Sequence, residues 1–143
     1  MGKVILLVED TSSDEKLTLM AFKRCGVANE VVVTRDGAEA LDYLFCTGDY
    51  AARDPDRPPK LVLLDIKMPK VDGIEVLRQV KENARTRLIP VVVMTSSNEE
   101  KDVVESYRLG VNSYIVKPIE FAVFFDTVSK IGLYWVLTNR VPE

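Results

Sequence analysis

Val4-Ile5-Leu6-Leu7-Val8-Glu9-Asp10 and Leu61-Val62-Leu63-Leu64-Asp65 share one build: an unbroken apolar run that stops on carboxylates. A run of four or five apolar residues without alternation reads as a strand covered on both faces, which is the condition of a parallel α/β sheet. Such sheets bind their ligands beyond the carboxyl ends of the strands. Glu9, Asp10 and Asp65 are therefore expected at one edge, gathered rather than scattered.

The rest of the chain repeats the pattern. Apolar runs over 31–34, 91–94 and 113–116 alternate with amphipathic stretches. Ser12-Ser13-Asp14-Glu15 reads as a capping box, opening a helix with Leu17, Met20, Ala21 and Cys25 at helical spacing and Gly26 as its stop. Asp36-Gly37-Ala38-Glu39 opens a second helix carrying Ala40, Leu41 and Leu44, and Asp72-Gly73 a third with Ile74, Leu77 and Val80 inward. A more polar helix over 98–109 is closed by Gly110, and a last one begins near Glu120. The polar, proline-bearing segment 47–60 is longer than most connections of its kind and reads as a surface loop with room for a partner. Five β-α units with right-handed crossovers give a doubly wound five-stranded parallel sheet, helices on both faces. The flavodoxin-like order 2-1-3-4-5 puts Glu9, Asp10 and Asp65 at the switch point, with Thr95 and Lys117 on the same rim.

Composition narrows the function. At 143 residues, 47% of them hydrophobic, the chain is expected to form one domain over 1–143, with its core over about 3–136 and a tail over 137–143. A net charge of −3 and the lack of a basic stripe argue against direct nucleic-acid binding. There is no histidine, and Cys25 and Cys46 have no metal-ligand spacing, so zinc sites and serine–histidine catalysis fall away. The first apolar run is too short for a signal peptide or a membrane span, which leaves a cytoplasmic protein with reduced thiols as the expectation.

Carboxylates packed together repel unless a cation or protons compensate. The donors here are all oxygens, which suits a hard ion such as Mg²⁺. With the ion bound, a phosphoryl group can approach a carboxylate nucleophile while Lys117 and the Thr95 hydroxyl hold its oxygens. Asp65 is the natural nucleophile, and Glu9 and Asp10 the natural metal ligands.

These residues, in this order and each at a strand end, resemble the receiver domain of two-component response regulators (CheY-like). The resemblance rests on Glu9-Asp10, Asp65 with Pro69 and Gly73 in DIKMPKVDG, Thr95, Tyr114 and Lys117-Pro118, and it spans residues 3 to about 136. It implies a signalling phosphoacceptor rather than an enzyme, with Asp65 taking a phosphoryl group from a sensor histidine kinase. It further implies Mg²⁺ held by Asp10, Asp65 and the Lys67 backbone carbonyl, with Glu9 acting through water. Thr95 would move toward the phosphoryl group, Tyr114 turn inward behind it, and the Lys117-Pro118 bond be cis. The output would be a changed surface on the fourth helix, fifth strand and fifth helix. The long segment 47–60 and the aromatic stretch Leu133-Tyr134-Trp135-Val136-Leu137 resemble the stand-alone regulators associated with bacterial phytochromes. A phytochrome-type kinase, or a histidine phosphotransferase, is then the expected partner. Lys67 and Ser97 sit where family members vary and tune the lifetime of the acyl phosphate.

Plainer readings stand beside these. Asp36 and Asp72 are turn or cap residues, Thr95 could cap the stretch Thr95-Ser96-Ser97, and Tyr114 by default packs in its strand. Along the last helix Phe121, Phe124, Phe125, Val128, Ile131 and Trp135 share one face, while Val123, Leu133, Tyr134 and Leu137 point elsewhere. A helix apolar on more than its core face marks a partner surface, so a homodimer through this helix and the tail is expected. The alternative folds the tail over the loop around Tyr50. Three other functions stay open: an FMN binder, which Glu9-Asp10 would repel; a phosphohydrolase, which would need an acid where Lys67 stands; and a receiver-like scaffold without chemistry.

Overall fold

Both parities of the run 4–8 are apolar, so the strand it forms needs cover on both faces. A computed structural model, describing residues 4–24, 26–68, 71–96, 98–117, 122 and 126, provides that cover. Strands β1 (Val4–Val8), β2 (Glu30–Thr34), β3 (Leu61–Leu64), β4 (Val91–Thr95) and β5 (Ser113–Val116) alternate with helices α1 (Ser12–Arg24), α2 (Gly37–Phe45), α3 (Gly73–Glu82) and α4 (Glu100–Arg108). Every pairing is parallel and the order is β2-β1-β3-β4-β5, as expected.

Parity divides the core into two layers. Leu6, Val8, Val62, Leu64, Val91 and Val93 pack under Ala40, Tyr43 and Leu44 of α2 and Val76, Leu77 and Val80 of α3. On the other face Ile5, Leu7, Leu61, Leu63, Val92, Met94 and Ile115 meet Phe22 of α1. Ile5 to Val8 and Leu61 to Leu63 are wholly buried, which explains why neither run alternates. The last expected helix, with its aromatic face and the tail, lies outside the described residues, apart from Ala122 and Asp126, both helical.

Three local expectations need correction. In α1 the buried set is Thr18, Ala21 and Phe22, while Leu17 and Met20 are 45% and 50% exposed. Thr18 can face inward because its hydroxyl donates to the Asp14 carbonyl at 3.0 Å, so its polar group is already satisfied. The capping box belongs to α2, not α1. Asp36 Oδ1 accepts from the Glu39 amide at 2.8 Å and Glu39 Oε1 from the Arg35 amide at 2.9 Å, whereas the Glu15 carboxylate pairs with the Arg35 guanidinium. Helix α4 is also shorter than read, starting at Glu100.

The 47–60 segment is tied down. After a 3₁₀ turn (Gly48–Tyr50), Arg53 donates to the carbonyls of Tyr43 at 2.8 Å and Arg57 at 2.7 Å, with its guanidinium 4.3 Å from the Tyr43 ring centroid. Tyr50 meets that ring edge-on and donates its hydroxyl to Glu39 Oε2 at 2.7 Å. An arginine thus satisfies carbonyls at the C-terminal end of α2, where cations are favoured.

Candidate functional site

Each key residue is fixed by a backbone hydrogen bond that carries the sheet ladder one step past its strand. The Glu9 amide donates to Thr34 O at 2.9 Å, the Asp65 amide to Val8 O at 3.1 Å and the Lys117 amide to Thr95 O at 2.8 Å. Three polar side chains are thereby held at the carboxyl edge with the rigidity of the sheet. The loop after Asp65 is held as closely. A Cβ on Gly73 would collide with Ile66 Cα and the Asp65 carbonyl oxygen, and one on Gly37 with the Val71 carbonyl. Glycine at these positions lets α3 and α2 press against the loop that carries Asp65.

The edge gathers the predicted acids. Carboxylate oxygens of Glu9, Asp10 and Asp65 lie within 4.8 Å of one another, Glu9 and Asp65 buried and Asp10 exposed. An all-oxygen cluster of this size fits a hard divalent cation. Lys117 Nζ donates to Glu9 Oε1 at 2.6 Å, to Asp65 Oδ2 at 3.0 Å and to Asp14 Oδ2 at 2.9 Å. Asp65 Oδ1 accepts from the Lys67 amide at 2.9 Å, so both oxygens of Asp65 are oriented. The Lys67 side chain turns away to Asp102 on α4, at 3.2 Å. Thr95 is fully buried at the end of β4, paired in register with Val116, next to Lys117. Tyr114 is partly buried against the α2/α3 layer, in line with plain packing. Pro69, Ser97 and Pro118 lie outside the described residues.

Electrostatics follow from burial. Burial pushes Glu9 from its ordinary 4.5 up to about 7, against the opposing hydrogen bond from Lys117. Burial also disfavours the charged form of Lys117, but hydrogen bonds to Glu9, Asp14 and Asp65 outweigh it and hold the ammonium above its usual range. The site without a metal is therefore a cationic lysine set in an excess of carboxylates, one of which holds its proton near neutrality.

Sequence reading missed Asp14, which looked like an ordinary acid in a first helical turn. Its one signal is position: the first turn of the helix leaving β1 overhangs the same edge as Glu9.

Residues 5–129 match the family described as the response regulator receiver domain. The chain belongs to that family. This receiver domain is 44% identical over 139 residues to the probable methanogenesis regulatory protein FilR2 of Methanothrix harundinacea, covering 97% of this chain and 87% of that one. It is 40% identical over 140 residues to the response regulator Rcp1 of Synechocystis, covering 98% and 93%. Among solved structures it resembles the bacteriophytochrome response regulators RtBRR (53% identity, TM-score 0.87, 99% of this chain and 85% of that one) and AtBRR (56%, 0.83, 96% and 98%). A crystal structure of Rcp1, at 40% identity and TM-score 0.79 over 99% of both chains, is of its Mn²⁺-bound form. The fold is thus the CheY-like one of two-component signalling, and receivers of this family use a divalent metal. No helix among the described residues is long and apolar enough to cross a membrane.

Proposed function

We propose that this receiver domain is a phosphorylation-operated switch, with Asp65 accepting a phosphoryl group from the phosphohistidine of a sensor kinase or histidine phosphotransferase. The observation that carries the reading is Lys117, whose ammonium bridges Glu9 and Asp65 from three separate strand ends, beside the carboxylate of Asp10. A carboxylate oxygen of Asp65 attacks phosphorus, the P–N bond breaks, and the electron pair returns to the imidazole of the partner. Lys117 follows the developing charge onto the phosphoryl oxygens, and the Lys67 amide and the Thr95 hydroxyl flank it. Mg²⁺, held by Asp10, Asp65 and the Lys67 carbonyl with Glu9 acting through water, would neutralise carboxylates and phosphoryl oxygens together.

The named relatives favour a phytochrome-type kinase as the source of phosphate. The output surface would be α4, β5 and the following helix. Val104, Tyr107 and Val116 on α4 and β5 are 48%, 50% and 41% exposed, which leaves apolar area for a target. Thr95 and Tyr114 would relay the change to it. Residues 1–143 form one receiver unit acting in the cytoplasm, without direct nucleic-acid contact. It forms a homodimer through the last helix, starting near Glu120, and the C-terminal tail over 137–143, a reading supported by sequence alone. Sedimentation as a strict monomer at high micromolar concentration, phosphorylated or not, would remove the dimer.

Intact-mass spectrometry after incubation with Mg²⁺ and a small acyl-phosphate donor tests the switch. One phosphoryl adduct is expected, absent with EDTA and absent in Asp65→Asn. No adduct in the wild-type protein would leave a receiver-like scaffold as the better account.

A further inference from the structure

An ammonium has three N–H donors, and all three of Lys117 are committed: to Glu9, to Asp65, and to Asp14. The first two are the residues expected at such a site. The third is not. Asp14 belongs to the first turn of α1, outside the group of Glu9, Asp10 and Asp65 whose oxygens converge closely enough to share a metal ion. Its contact with the reacting centre runs through Lys117.

Asp14 is itself well placed. The Thr18 hydroxyl donates to its carbonyl, and the neighbouring Glu15 pairs with Arg35 at the end of β2, which braces the start of α1 against the sheet. A carboxylate in a first helical turn is also favoured by the helix dipole. The Lys117 side chain is 9% exposed, and those of Glu9, Asp65 and Asp14 are 1%, 6% and 32% exposed. Two walls of the lysine cage are deep in the protein and the third closes it from the solvent side.

On the reading that Asp65 is the phosphoacceptor, we propose that Asp14 is a positioning residue for phosphoryl transfer, holding Lys117 between itself and Glu9 so that the remaining N–H points at the Asp65 oxygen. When phosphorus bonds to Asp65, that N–H passes from the carboxylate to a phosphoryl oxygen on the same side chain, a short shift that leaves the Glu9 and Asp14 bonds in place. Without Asp14 the flexible lysine stem loses its outer anchor, and the donor must be found anew in each transfer.

The test is the rate of adduct formation against acyl-phosphate concentration at saturating Mg²⁺, for the wild type, Asp14→Ala, Asp14→Asn, Lys117→Ala and the double variant. Asp14→Ala should lower the maximal rate about tenfold, with donor half-saturation and Mg²⁺ affinity changed by less than about twofold. Asp14→Asn, which keeps an acceptor oxygen, should recover most of the rate. In a Lys117→Ala background Asp14→Ala should cost nothing further, because its effect passes through that lysine. Circular dichroism confirms that the variants compared are folded. An undiminished or faster rate in Asp14→Ala would overturn the proposal, as would equal losses in both backgrounds, while leaving Asp65 as the acceptor. No adduct in the wild type would remove the acceptor reading and this inference with it.

Discussion

The carboxyl edge of the sheet and the 47–60 segment are both dense in charge, and they handle it in opposite ways. In the segment, Arg53 is matched by the carbonyls of Tyr43 and Arg57 and by the Tyr43 ring, and Tyr50 by Glu39. Arg53 and Tyr50 each have their partners within the segment and α2, and they hold it in place. At the edge, Glu9, Asp14 and Asp65 all accept from Lys117 with Asp10 beside them, and burial pushes the Glu9 carboxyl up to about 7. Matched charge fixes a loop, whereas unmatched charge awaits a ligand. That difference, rather than charge density, is what points to the active edge.

Lys117→Ala should break the comparison hardest. It leaves buried carboxylates without their cation, so metal-free stability should fall by about 3 kcal/mol in urea titrations. Saturating Mg²⁺ should recover part of the loss by replacing the missing charge, and phosphorylation should slow by about 100-fold or more. An equal loss of stability with and without Mg²⁺ would mean that the site does not lack positive charge.

Acidity comes next. The folded protein keeps the Glu9 proton up to about pH 7, while the unfolded chain releases it near 4.5. Folded molecules therefore bind more protons between those values, and metal-free stability falls as pH rises through that window and levels off above it. The Glu9 contribution is about 3 kcal/mol. It should appear as the difference between wild-type and Glu9→Gln urea midpoints across the pH series. Because a cation displaces the proton, apparent Mg²⁺ affinity should rise over the same interval.

Arg53→Ala removes three carbonyl contacts and a cation–π contact and should cost about 1–2 kcal/mol of stability while leaving the phosphorylation rate unchanged. A slower rate would show that the segment is coupled to the edge after all. The smallest effect is expected from Tyr50→Phe, which removes one partly exposed hydrogen bond to Glu39, at about 1 kcal/mol in the same urea assay.

Much of this was legible in the sequence for a definite reason. Runs such as 4–8 and 61–64 are apolar at both parities only when both faces are covered, so strand type, parallel pairing and the placement of Glu9, Asp65 and Lys117 at one edge follow together. The face of α1 was harder, since Leu17 and Met20 carry the same period as Ala21 and Phe22, and the inward turn of Thr18 depends on a bond to the Asp14 carbonyl. The capping motif was misplaced because Glu15 has a better partner in Arg35, which lies far along the chain. Asp14 went unread for a related reason: an acid in a first helical turn is already explained by the helix dipole, and only the fold brings Lys117 to it. Arg53 is the same case in the loop, since its acceptors are backbone carbonyls, which leave no trace in a sequence.

The central claim is that unmatched carboxylates at the carboxyl edge receive a phosphoryl group on Asp65. The most direct measurement is to phosphorylate the protein with Mg²⁺ and an acyl-phosphate donor, trap the acyl phosphate with borohydride, and map the reduced residue by peptide mass spectrometry. Reduction at Asp65 alone is the predicted result. Reduction at Glu9, Asp10 or Asp14, or at no carboxylate, would contradict it.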